Sequence, residues 1–445
     1  LLTAGGFWID TAPVRGPKQA MLVAIYTLTM FVSATLLFVV QPMIAKLLLP
    51  SLGGSSAVWT TCMLFFQGVL LLGYGYAHIG ARWLSPRRQL FLHLPLMLLA
   101  AVTLPIAIPE IGFDASAEPN SWLLVALALS VGLPFFVLST SAPLLQHWFA
   151  QTDHPDAADP YHLYAASNMG SMAALLGYPI IIEPWIGVRA QSINWAVLYV
   201  LFVVGVVACA ALVLKASKQP REHAPVGEAP PLTWAQRARW VGLAAVPSSL
   251  MLGFTQYLTT DVASVPLLWV LPLALYLLTF ILVFAKRPFR LPDGSRTWLP
   301  LFVAVVFAGT AMGASLWLSM ALHMLTFLLV ALFMHGTLAE ERPHPARLTE
   351  YFLLMSVGGA LGGLFNALVA PTFFDRAFEY QLVLFTSLAF LQPAAWRLRN
   401  TGATRWARPL VTALVAFGYL YATAFFAFDF RPSLALTGIL IAVFV

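Results

Sequence analysis

The sequence predicts an all-α polytopic membrane protein of about fourteen transmembrane helices, two six-helix halves followed by two more. Three observations carry this: the composition, a train of apolar runs of spanning length, and the segregation of basic residues between the two sides. Hydrophobic residues fill 60% of the 445 positions and charged residues only 9%, with a mean hydropathy of +0.83. A soluble domain carries about 25% charged residues to cover its surface, so the solvent of this chain is mostly lipid. The net charge of +6 does not point to nucleic acid, because the basic residues are scattered through short connectors rather than gathered on one face. Cys62 and Cys209 both lie inside apolar runs and read as small buried hydrophobes, not as a disulfide or metal pair.

The apolar runs lie near 21–40, 57–79, 89–108, 121–147, 163–186, 190–214, 240–258, 264–285, 298–316, 319–339, 350–373, 379–396, 407–427 and 433–445. A spanning helix needs about 20 residues. The last run breaks off at Val445 after 13 and is read as truncated. Nothing before Met21, which opens the first run, has the form of a cleaved signal. Internal Pro and Gly do not veto these spans, since neighbouring helices satisfy the freed backbone groups.

Placing the N-terminus in the cytoplasm puts 20 of the 24 Lys and Arg residues inside and leaves only Lys46, Arg189, Arg376 and Arg431 outside. A miscounted helix would scramble that segregation, so count and orientation support each other. The expected location is the bacterial inner (plasma) membrane. The longest polar connector, Lys215 to Arg239, contains four prolines and follows the sixth helix, like the central cytoplasmic loop of major-facilitator transporters. The expected organisation is a cytoplasmic segment 1–20, a first six-helix bundle 21–214, a cytoplasmic linker 215–239, a second bundle 240–396 and two extra helices in 397–445.

An internal repeat supports the division. Residues 161–179 resemble 349–367 at an offset of 188, which pairs Tyr164 with Phe352, Asn168 with Ser356, Gly170 with Gly358 and His147 with His335. At the starts of the halves, Gln41 to Lys46 and Gln256 to Asp261 share one spacing, each leading to a tryptophan. The repeat axis runs along the membrane normal. The small residues around Gly170, and Gly358, Gly359, Gly362 and Gly363, give each half a helix face that another backbone can approach closely.

The stretches QPMIAKLLLPSLGGSSAVW (41–59), GYGYAH (73–78) and DPYHLYAASNMGS (159–171) resemble the membrane portion of transmembrane spermidine-synthase-like proteins. These join a major-facilitator-type bundle to a cytoplasmic aminopropyltransferase-like domain. The resemblance covers most of the first half and, more loosely, the second. It implies a transporter-like module handling a small cationic or polyamine-related solute, with a Rossmann-like domain or a partner subunit beyond the last helix. No strand, glycine-rich turn and following acid stand within these 445 residues to bind a nucleoside cofactor. No catalytic residue and no cofactor are therefore assigned. The alternative is a non-transporting scaffold for such a domain or a partner complex; an enzyme acting within the bundle lacks a convergent set of catalytic groups.

Ionisable groups at membrane depth are costly and mark candidate sites. Lys46 and Asp261 occupy equivalent repeat positions with opposite charge, which allows a pair across the outer mouth of a central cavity; the plain alternative is that both snorkel at helix ends. Glu183, before Pro184 at the outer end of the fifth span, could meet a cation or a proton, or sit at the interface beside Trp185. Gln41 and Gln256 are candidate cavity groups, and Asn168 and Gln67 are expected to bond between helices. His147 and His335, related by the repeat, could ligate a metal or titrate together, against the commoner bond to a neighbouring carbonyl. In HPDAADPYH (154–162), the Asp159-Pro160 step is expected to turn the chain and cap the following helix.

Overall fold

The computed structural model describes residues 16–52, 56–109, 119–216, 232–258, 270–292, 294–295, 298–300, 302–303, 305–306, 315–373 and 378–390. Asp261, most of the 215–239 linker and the two C-terminal spans at 407–427 and 433–445 lie outside them. Among the described residues the regular structure is helical throughout. In chain order these are α1 (Pro17–Leu52), α2 (Ser56–Trp83), α3 (Pro86–Val102), α4 (Pro119–Leu127), α5 (Leu133–Phe149), α6 (His162–Gly177) and α7 (Glu183–Trp185). They continue with α8 (Val188–Ala216), α9 (Trp234–Tyr257), α10 (Val270–Phe284), α11 (Leu316–Glu340), α12 (Leu348–Leu364), α13 (Ala370–Phe373) and α14 (Phe378–Phe390).

Among the described residues, seven helical stretches are long and apolar enough to cross a membrane, including Pro17–Pro50, Val188–Ala216 and Pro345–Phe373. At 1.5 Å per residue, α8 alone reaches about 43 Å, more than the hydrocarbon thickness. Its sides show which solvent it meets. Trp195, Tyr199, Phe202 and Val206 are buried, while Val197, Leu201 and Val204 on the opposite face are exposed. An apolar face turned outward at helical spacing is a lipid face. The chain is a multi-pass, all-α membrane protein.

Among the described residues the core has two large clusters, with a small third one at Leu175, Val270 and Leu277. One buried cluster runs from Tyr26 to Val213; the second runs from Trp240 to Leu384 and takes in Tyr161 and Ala165 from the first half. Within the first half α1 lies between α6 and α8; within the second α9 lies against α12, α11 and α14. Across the seam, α6 meets α10 and α12 meets α2.

The glycines at the 188-residue offset explain the closest helix pairs. A Cβ on Gly170 would collide with the Phe31 carbonyl of α1, and one on Gly358 with the Val241 carbonyl of α9. Each half therefore packs its repeat-equivalent helix backbone to backbone, which only glycine permits. The two helices also end alike. A π-helical turn follows α6 at Tyr178–Ile182 and another follows α12 at Phe365–Val369, and a short 3₁₀ turn precedes each, at Pro155–Ala158 and Pro345–Arg347. In both turns a histidine, His154 or His344, accepts the backbone N–H two residues on.

Candidate functional site

Between the halves lies a cavity of about 290 Å³, walled by α1, α2, α5, α6, α9, α10 and α12. Its polar lining is Ser33, Gln67, Tyr74, Ser139, Ser167, Asn168, Ser171, Ser248, Tyr276 and Ser356; Phe38, Tyr164, Phe280 and Phe352 add aromatic faces. Among the described residues it has no Asp, Glu, Lys, Arg or His in its wall.

Three of the serine hydroxyl protons there are committed to backbone. Ser139 donates to the Phe136 carbonyl at 2.6 Å, Ser248 to the Gly359 carbonyl at 3.1 Å and Ser33 to the Leu138 carbonyl at 3.4 Å. A serine that donates to backbone keeps its oxygen lone pairs free to accept. Asn168 likewise donates to the Tyr164 carbonyl at 2.8 Å, within its own helix. The expected interhelical bonds of Asn168 and Gln67 are thus not what these side chains make: Asn168 turns back on α6, and the Gln67 Oε1 is buried without a hydrogen-bond partner. The reason is Gly363, whose bare Cα lets the Gln67 amide lie in close contact with α12, where no donor faces it. The wall thus offers serine and amide oxygens as acceptors, ring faces, and the phenol groups of Tyr74, Tyr164 and Tyr276.

The seam has two ends. At the end carrying most of the basic residues, Asp159 pairs with Arg342 at 2.7 Å and Asp156 pairs with Lys286. Tyr161 donates to the Pro343 carbonyl at 2.8 Å, and His78 Nδ1 meets the Thr349 hydroxyl at 3.1 Å. Burial pushes the Tyr161 phenol far above its ordinary range, so it remains a donor. Beneath these bonds Tyr164 packs edge-on against Phe280 and Phe284 and tilts over Phe352. Asp159 was expected as a helix cap; its carboxylate instead crosses the seam to Arg342, α6 begins without a side-chain cap, and His154 caps the 3₁₀ turn before it. The reason is electrostatic: a guanidinium adds charge–charge attraction that a neutral N–H does not supply.

At the opposite end Leu175 of α6 packs against Val270 and Leu277 of α10. Lys46 and Glu183 pair at 2.9 Å there, within the first half and part exposed. The Lys46 ammonium is thus held by Glu183, and Asp261, its expected partner, lies outside the described residues. Gln41 donates to the Leu37 carbonyl at 3.2 Å, and Gln256 is exposed at the end of α9. His147 Nε2 lies 2.7 Å from the Gln151 side chain. His335 meets the Thr279 hydroxyl at 2.7 Å and stacks on Phe280 at 3.8 Å. The structure seats these two imidazoles with separate partners in separate halves. Among the described residues no three His, Cys, Asp or Glu side chains cluster to hold a metal.

No protein-family model matches the sequence, and no curated protein matches it. Solved structures do. A proton:xylose symporter of the major facilitator superfamily, XylE, bound to 6-bromo-6-deoxy-D-glucose, superposes with a TM-score of 0.54 at 12% identity, covering 85% of this chain and 96% of that one. A peptide transporter, POT, in a single-site mutant form, gives 0.51 at 14% identity, covering 85% and 94%. At these identities the likeness is one of fold: this chain is a multi-pass membrane protein with a major-facilitator-like fold.

Proposed function

We propose that the protein is a transporter that carries a small, hydrogen-bond-donating organic solute through the central cavity by rocking of its two halves. The observation that carries the reading is the polar, ring-lined wall of that cavity, free of charged side chains among the described residues. A solute with N–H or O–H groups matches the serine oxygens and the unpaired Gln67 oxygen, and a single ammonium would gain further from the ring faces of Tyr74, Tyr276 and Phe280. The finer reading is therefore a small amine. A fully charged polyamine fits less well, since among the described residues no carboxylate lines the cavity. The excess of Lys and Arg at the Asp159–Arg342 end supports a cytoplasmic position for that end and for the N-terminus, in a bacterial inner membrane.

The test is counterflow in vesicles reconstituted with the full chain, using a panel of small amines and polyols. Gly359 lines the cavity and has open space where a Cβ would stand, so Gly359→Leu fills the cavity with no clash at the Cβ itself. Flux of at least one panel member, lost in Gly359→Leu at unchanged thermal stability, is the expected result. Flux that survives this filling overturns the site. The sequence resemblance supplies the other reading, a scaffold for an aminopropyltransferase-like domain or partner, and total absence of flux across the panel would favour it.

A further inference from the structure

A second cavity, of about 430 Å³, opens at the basic end between α10, the segment that follows it, and α11. Arg290 and Arg342 stand in its wall with one acid, Glu340, which Arg290 approaches only at 3.9 Å, while Arg342 also pairs with Asp159 across the seam. Leu332 and Phe333 make its apolar side. The approach is more basic still: Lys286 and Arg287 precede the pocket in an exposed Lys-Arg-Pro-Phe-Arg run, in which Phe289 stands half exposed. Arg287 has no ion-pair partner among the described residues. Cations around a cleft that is apolar on one side, next to an exposed aromatic at a helix end, are the surroundings of a lipid headgroup plane.

We infer that this pocket binds a phosphoryl group, with Arg290 holding the oxygens, the Arg342 N–H groups not used by Asp159 adding to it, and the Leu332–Phe333 side receiving whatever apolar chain the phosphate carries. A phosphate offers the Arg290 guanidinium a bidentate partner better than the loose carboxylate of Glu340. An anionic phospholipid and a free phosphate share this chemistry.

The experiment measures lipid retention by the full chain in native mass spectrometry, after exchange from bilayers of phosphatidylcholine with or without phosphatidylglycerol. Two variants probe the pocket. Arg290→Gln removes a cation from a largely exposed side chain. Gly336→Leu fills the floor, where an added Cβ would meet nothing nearer than Val283 at 4.0 Å. The expected result is one phosphatidylglycerol held about tenfold more tightly than phosphatidylcholine, with that preference reduced about tenfold in either variant. Displacement of the lipid by millimolar inorganic phosphate in detergent keeps the phosphoryl site and assigns it to a soluble anion. Equal retention of the two lipids with no phosphate effect overturns the proposal, as does a preference that both variants leave intact. Thermal midpoints in pure phosphatidylcholine show that each variant is folded.

Discussion

At the basic end of the seam Asp159 reaches Arg342 and Tyr161 donates to a backbone carbonyl, whereas at the other end Leu175 meets Val270 and Leu277 through hydrocarbon alone. The first kind of contact is directional and comes apart in discrete steps, each exposing a charge or donor that water can take over. The second has no preferred angle, and its strength follows buried area. Two halves joined in this way can hinge on the apolar end while the polar end opens and closes. Part of the polar end is also dry: the Tyr164, Phe280 and Phe352 rings beneath the ion pairs contribute packing that the pairs themselves do not.

Truncating the packing should produce the largest effects. Phe352→Ala removes a fully buried ring from beneath the ion pairs and is expected to cost about 3–5 kcal/mol, against about 2 kcal/mol for Leu277→Ala in the small cluster opposite. Thermal unfolding in detergent measures both, and equal losses would erase the contrast. A smaller effect should follow from Asp159→Asn combined with Asp156→Asn. The partners are part exposed, so stability falls by no more than about 1 kcal/mol per pair. Cysteine labelling at the basic end should nevertheless rise in this variant, and in the parent it should rise with salt. Labelling beside Leu175 should not respond to salt, because hydrocarbon contact carries no charge to screen. The smallest change is expected for Lys46→Met, which breaks a pair inside one half: no shift in labelling at either end and under about 1 kcal/mol in stability. A changed KM for solute in that variant would instead put Lys46 on the solute path.

Much of this fold was legible in the sequence because hydropathy and length speak directly to lipid. The helices at 17–52, 188–216 and 316–340 fall where the apolar runs stood, and Gly170 and Gly358 declared their close contacts through small size and a shared offset. The π turns after α6 and α12 were not legible, since a single wide turn leaves no mark on composition. Nor was the seam. Asp159 and Arg342 are 183 residues apart, and a lone aspartate before proline looks the same whether it caps a helix or crosses to another bundle. The cavity was half visible: Asn168 stood out as an amide in an apolar helix, but Ser33, Ser139 and Ser248 did not, because a serine that bonds its backbone is common in any membrane helix.

The Gln67 oxygen has one more consequence. A cavity walled by rings in the middle of a bilayer is a natural refuge for stray acyl chains, which outnumber any solute. A hydrocarbon guest, however, would leave that oxygen unmatched, whereas a guest whose donor reaches it would gain about 1–3 kcal/mol, roughly 5- to 150-fold in occupancy. By standing unmatched, that oxygen favours a donor-bearing guest over the membrane's own lipid.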